Sequence, residues 1–167
     1  MKTATIDLLR SRLMRRALQA LTAICVMVLA LAMALRAEAQ QTATASTPAR
    51  VSVTVPQAQG SGPATLELVV SAFRKPGGGN IGGVVRLNRS GGGAVEVGRF
   101  SIFPAQSFTA TTSGEEQRYR FDVTGALQQL NLSVGPAEVE VTLIDRSNGP
   151  VPPGTELQLG NAQIARR

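Results

Sequence analysis

Histidine and tryptophan are absent from the 167 residues, tyrosine occurs once, and cysteine occurs once. That cysteine, Cys25, and all four methionines (Met1, Met14, Met27 and Met33) lie before residue 40. Beyond Ala39 there is thus no imidazole, thiol or thioether to hold copper, zinc, haem or an iron–sulfur cluster. Carboxylates and backbone oxygens remain, which suit harder ions such as calcium. Serine–histidine, cysteine–histidine and histidine acid–base chemistry are excluded together. No disulfide can form beyond Ala39, so stability there must come from the core. The expectation is a chain with no catalytic residue, no metal site and no cofactor, and not an enzyme.

Charge of one sign is also scarce once the chain is divided. Residues 1–39 carry six basic and two acidic side chains, a net +4, while the remainder is close to balanced at +2 out of a total of +6. No run of Lys and Arg beyond residue 39 exceeds two. The basic stripe that nucleic-acid binding requires is missing, and no nucleic-acid partner is expected.

The first 39 residues have the order of a secretory signal: a basic segment to Arg16, an apolar stretch Ala17–Leu35, then Ala37-Glu38-Ala39 as a small-x-small cleavage site. Positive charge holds the N-terminus inside while the apolar segment enters the bilayer. An uncleaved anchor is the rival, because 17–35 approaches the ~20 residues of a spanning helix, although Gln19 and Thr22 interrupt it. Cys25 follows Ile24, where a lipoprotein site would want a small residue. Arg15-Arg16 faintly matches a twin-arginine signal, but the ordinary route is expected. Either way the remainder is expected to be periplasmic or secreted, with membrane contact only through 17–35 if the leader stays.

Residues 40–50 are small, polar and aperiodic, which predicts a flexible linker. Residues 51–167 are enough for one core. Apolar alternation predicts strands over 51–55, 65–73, 84–88, 94–103, 118–123, 138–145 and 155–164. Between them lie loops rich in glycine, proline and small polar residues, including 57–63, 74–83, Ser90–Gly93, 108–117 and 146–154. Seven short strands so divided predict an all-β, antiparallel β-sandwich. After Val123 the spacing changes: Ala126, Leu127 and Leu130 lie three and four apart, which predicts one short helix closing an end of the sandwich. The Thr124 hydroxyl is expected to cap it.

Four patterns have a chemical reading beside a plain one. Gly77, Gly79 and Gly82 fit G-x-G-x-x-G, but a strand follows where a phosphate-binding loop needs a helix, so a hairpin loop is expected. Glu115-Glu116 could pair as acid and base, yet adjacent carboxylates in a polar loop are expected to face solvent. Asn88-Arg89-Ser90 and Asn131-Leu132-Ser133 fit a glycosylation pattern short enough to recur by chance. Asp122 could be catalytic; otherwise it accepts hydrogen bonds from the Thr124–Ala126 turn or pairs with an arginine on a neighbouring strand.

Five segments in order carry a resemblance. They are Gly98-Arg99-Phe100-Ser101-Ile102-Phe103-Pro104, Phe121-Asp122-Val123-Thr124, Ala126-Leu127-Gln128-Gln129-Leu130, Glu140-Val141-Thr142-Leu143-Ile144-Asp145-Arg146 and Leu157-Gln158-Leu159-Gly160. This order resembles the C-terminal domain of the tyrosinase and polyphenol oxidase family over about residues 51–165. In that family the domain is similar to a lid over a histidine-ligated dicopper site. The resemblance implies no phenol oxidation here, since the histidine-bearing catalytic half has no counterpart. It implies a non-catalytic, trans-acting lid or stabilising partner of a separately encoded dicopper phenol oxidase. The alternative is a general envelope binding or structural module unrelated to copper. No motif position marks a residue that enters a copper pocket. Phe103 and Phe108, beside the Pro104 loop, are the partner-contact candidates, set against ordinary burial in the core.

Overall fold

Alternation dictates most of the architecture. A computed structural model describes residues 41–58, 62–112 and 114–166; the expected leader and Gln40 lie outside them. Among the described residues nine strands form two antiparallel sheets: β1 (Thr42–Thr44), β2 (Ala49–Val55), β3 (Ala64–Arg74), β4 (Ile81–Arg89), β5 (Ala94–Ser101), β6 (Phe108–Thr109), β7 (Gln117–Asp122), β8 (Gly135–Asp145) and β9 (Glu156–Arg166). One helix, α1 (Thr124–Gln129), follows β7. One sheet runs β1-β9-β3, and the far edge of β3 takes β7 along Thr65–Val70 and β6 along Ala72–Phe73. The other runs β2-β8-β4-β5. The inner faces meet through Leu66, Leu68, Val70, Leu157 and Leu159 from the first sheet and Val53, Val85, Leu87, Val139 and Val141 from the second.

β9 keeps a core face along its whole length only because its phase changes. Leu157 and Leu159 point inward, and then Ala162 and Ile164 do. Gly160 is the extra residue between the Leu159↔Val70 and Asn161↔Val69 pairs, and Ser71 is the extra residue on β3. Each bulge moves the following side chains to the opposite face, so the apolar set stays inside on both strands.

Several boundaries differ from expectation. Two of the nine strands, β1 and β6, have three and two residues, too few for alternation to register. β1 lies in the stretch expected to be a flexible linker, where it pairs with β9 and buries Ala43; Ala49 of β2 is buried as well. Edge pairing, rather than side-chain pattern, orders this segment. β6 lies in the expected polar connection 108–117, paired with β3. β4 begins at Ile81, inside the expected glycine loop, because Gly83 pairs with Phe100 and a Cβ there would collide with the Phe100 ring. Gly83 makes room for the Phe100 ring, and Gly82 for the Phe100 backbone carbonyl.

The strand-to-helix switch falls where the sequence places it, and Ala126, Leu127 and Leu130 are buried. The cap differs. Thr124 Oγ1 accepts from the Ala64 backbone N–H at 2.9 Å, tying α1 to β3, while Asp122 Oδ1 accepts from the Thr124 N–H at 2.9 Å. Val123 is the N-cap and no side chain caps the helix; Asp122 holds the N–H of its first residue, and Thr124 faces a neighbouring strand instead of its own first turn.

Register separates the two ends of the sandwich. At one end lie α1, the close of β4 and the start of β8, with Arg89 opposite Ala137. At the other, Ser101 opposes Gly82 and Asp145 opposes Ile81. There the loops after β3, β5 and β8 gather.

Candidate functional site

Phe103 is 85% exposed, whereas Ile102 beside it is 2% exposed. Within β5 Phe100 points inward and Ser101 outward, and just beyond the strand end Ile102 is buried while Phe103 is exposed. The ladder ends at Ser101, and Pro104 offers no N–H to continue it. Phe73 and Phe100 are buried, and Phe108 and Phe121 are half-buried against the core, so Phe103 alone of the five phenylalanines faces water. Leaving such a ring exposed forgoes about 2 kcal/mol of burial.

The segment carrying Phe103 is tied down at several points. Gln117, the first residue of β7, donates from Nε2 to the Phe103 carbonyl at 2.9 Å. The Tyr119 hydroxyl lies within hydrogen-bond distance of both Gln117 Oε1 and the Ser101 carbonyl. Its ring packs against Phe100, tilted by 36°, with centroids 4.3 Å apart. The Arg146 guanidinium donates to Ser101 Oγ. Ser107 Oγ, at the far end of the loop, accepts from the Lys75 backbone N–H at 2.8 Å. Burial pushes the Tyr119 hydroxyl pKa up to about 12, so it stays protonated and able to donate throughout the neutral range.

The second candidate, Phe108, does not share this position. It opposes Phe73 in β6 and packs half-buried against the core, on a strand rather than at the tip. Gln117 and Tyr119 are missed by motif reading. Tyr119 reads as an ordinary core residue of its strand, and nothing local connects Gln117 with a carbonyl fourteen residues earlier.

The remaining patterns resolve into structure. Glu115 Oε2 accepts from the N–H and hydroxyl of Thr111, and these bonds hold its carboxyl below the usual range. Glu116 pairs separately with Arg118 at 3.0 Å. The two carboxylates thus serve different partners. Glu67 accepts from Arg120 at 2.9 Å and Arg118 at 3.1 Å on the outer sheet face, which lowers its pKa, the Arg120 bond first. Asp122 is likewise lowered, by the hydrogen bonds of Thr124. A strand, not a helix, follows the glycine loop, which removes the phosphate-binding reading. Asn88 is half-buried and donates to Glu138 Oε1.

A hollow of about 460 Å³ lies at the helix end, lined by Leu127, Gln128, Asn131, Leu132 and Arg166 among others, with no carboxylate side chain among the described residues of its wall. Among the described residues no three His, Cys, Asp or Glu side chains gather to hold a metal. Nor does any described helix have the length and hydropathy to cross a membrane.

No family model and no curated protein matches the sequence. Among solved structures, the chain is similar to recombinantly expressed latent aurone synthase, a polyphenol oxidase, at 15% identity and a TM-score of 0.46, over 74% of this chain and 24% of that one. The same enzyme co-crystallised with hexatungstotellurate(VI) gives 15% identity and a TM-score of 0.45, over 74% and 25%. The chain therefore spans about a quarter of the length of the chains it is similar to.

Proposed function

We propose that this chain is an exported, non-catalytic module that binds a separate protein through the loop carrying Phe103. The partner we propose is a separately encoded dicopper phenol oxidase, with the Phe103 tip covering its substrate entrance. One observation carries the reading: a phenylalanine 85% exposed on a loop whose backbone is held by hydrogen bonds from a neighbouring strand. A projecting aromatic side chain is the type of group that anchors interfaces when it enters a pocket. The choice of an oxidase rests on the five segments in order, which resemble the C-terminal domain of that family. The lack of histidine, cysteine and methionine beyond Ala39 supports a binding rather than a catalytic role.

The test is to mix the protein with a purified, histidine-rich dicopper phenol oxidase that lacks such a domain, and to follow phenol turnover and co-elution. A lid should bury roughly 1,600 Å² and change latency or copper retention, and Phe103→Ala should weaken both effects. No association at micromolar concentration, with unchanged turnover, would refute the lid and favour a general envelope module.

A further inference from the structure

We infer that Gln117 and Tyr119 are positioning residues that hold Phe103 in a fixed outward direction, making the tip a preset aromatic hook rather than a loose loop. This deepens, and rests on, the reading of Phe103 as the contact residue.

The geometry is a chain of polar contacts between strands of different sheets. Gln117 and Tyr119 belong to β7, whereas Ser101 ends β5, and no ladder bonds join those two strands. Across that seam the Tyr119 hydroxyl reaches the Ser101 carbonyl at 2.9 Å, and Gln117 Nε2 reaches the Phe103 carbonyl at 2.9 Å. The two contacted carbonyls flank Ile102, which is itself buried. Backbone is thereby held immediately before and at Phe103, and the side chain has only its own torsions left to explore.

The orientation of the Gln117 amide follows from its partners. With Nε2 toward the Phe103 carbonyl, Oε1 faces the Tyr119 hydroxyl. Turned over, Oε1 would face a carbonyl oxygen, acceptor against acceptor. The hydroxyl has one proton, which Oε1 and the Ser101 carbonyl share.

Core packing alone does not call for these polar groups. The Tyr119 ring already packs against Phe100, and a phenylalanine would fill that place. What the hydroxyl and the amide add is a grip on the two carbonyls that aim the tip. Supporting hydrogen bonds of this type fix a contact residue and reduce the ordering lost on binding.

The experiment uses the absence of tryptophan from the chain. Phe103→Trp in the full-length protein introduces one indole at the tip, and its time-resolved anisotropy reports local motion on the nanosecond scale. With Gln117 and Tyr119 intact, the decay should follow whole-molecule tumbling. Adding Gln117→Leu should raise the amplitude of fast local decay several-fold while the melting midpoint moves by only a few degrees. Should Gln117→Leu fail to fold, Tyr119→Phe, which retains the ring and its packing, should give the same effect in smaller measure. Identical decays with and without the brace, or an indole already mobile in the intact background, would overturn the inference. A second arm adds the oxidase to variants that retain Phe103. There Gln117→Leu should weaken inhibition by up to about tenfold, the scale of one immobilised side chain. Absence of any inhibition by the unmodified protein would refute the lid while leaving the anisotropy result to judge the brace alone.

Discussion

The two ends of the sandwich treat apolar side chains in opposite ways. At the helix end, Ala126, Leu127, Leu130 and Leu132 all turn inward, and Asp122 and Thr124 spend their polar groups on holding the first N–H of α1 and anchoring it to β3. At the tip end, Ile102 turns inward but Phe103 turns out, and polar groups from β7 hold the backbone that presents it. Apolar burial closes the helix end, although Val134 there is 57% exposed, and polar bracing presents the 85% exposed Phe103 ring at the other. A six-residue helix is unstable alone, so the first arrangement serves the fold. The second forgoes burial and is the better candidate for an interaction with something else.

The contrast breaks most sharply under substitution by charge. Leu127→Asp places an unpaired carboxylate among buried residues and should cost several kcal/mol, enough to unfold a domain whose stability is about 5–15 kcal/mol. Phe103→Asp should leave the unfolding midpoint almost unchanged. Chemical denaturation of both variants checks this, and similar losses would mean that the tip belongs to the core.

A smaller effect is expected where the aromatic brace is packed. Gly83→Val would drive side-chain atoms into the Phe100 ring, which lies between Gly83 and Tyr119, and overpacking of this type costs about 1–3 kcal/mol. The same substitution at Gly91, which has nothing near its Cβ position, tests the opposite condition: any loss there comes from its φ of 96° rather than from contact.

The ends should also differ in their response to pH. The Tyr119 hydroxyl has a folded pKa raised from 10.0 to about 12 by burial. A raised value favours the protonated, folded form, so that contribution is complete below pH about 10 and is lost as pH rises toward 12. Because the chain has one tyrosine and no tryptophan, near-ultraviolet tyrosinate absorbance follows this group alone. A midpoint near 10 would show that the hydroxyl is not buried in the brace. Tyr119→Phe should flatten the alkaline fall in melting temperature. At the helix end the sign reverses. The Asp122 carboxyl is lowered by its bonds to Thr124, so its contribution is present above the ordinary carboxylate pKa and fades as pH falls below it. This should be the smallest effect, because the carboxylate is exposed. Asp122→Asn, which can still accept from the Thr124 N–H, should reduce the acid sensitivity without removing the helix.

Much of the fold could be read from residues alone. Val139, Val141 and Leu143 alternate cleanly, and the change of period after Val123 marks α1. What escaped the pattern has physical reasons. β1 and β6 are too short to alternate, and they are fixed by backbone pairing to β9 and β3. Gly82 and Gly83 look like loop residues because their strand role is to accept Phe100, which lies elsewhere in the sequence. The site was half legible. Phe103 stands out in the sequence only as a large apolar residue before a proline, set against ordinary burial, and its exposure is known from the structure. Gln117 and Tyr119 act through contacts across the seam between sheets, which no local pattern encodes.

The central claim is that Phe103 is a binding group and not part of the core. It is tested most directly by co-elution of the full chain with a purified dicopper phenol oxidase that lacks such a domain, comparing the natural sequence with Phe103→Ala at equal concentration. The account predicts association at micromolar concentration or below for the natural sequence and clear loss for Phe103→Ala, with the two proteins melting at nearly the same temperature. Equal retention of both proteins by the oxidase, or retention of neither, would contradict it.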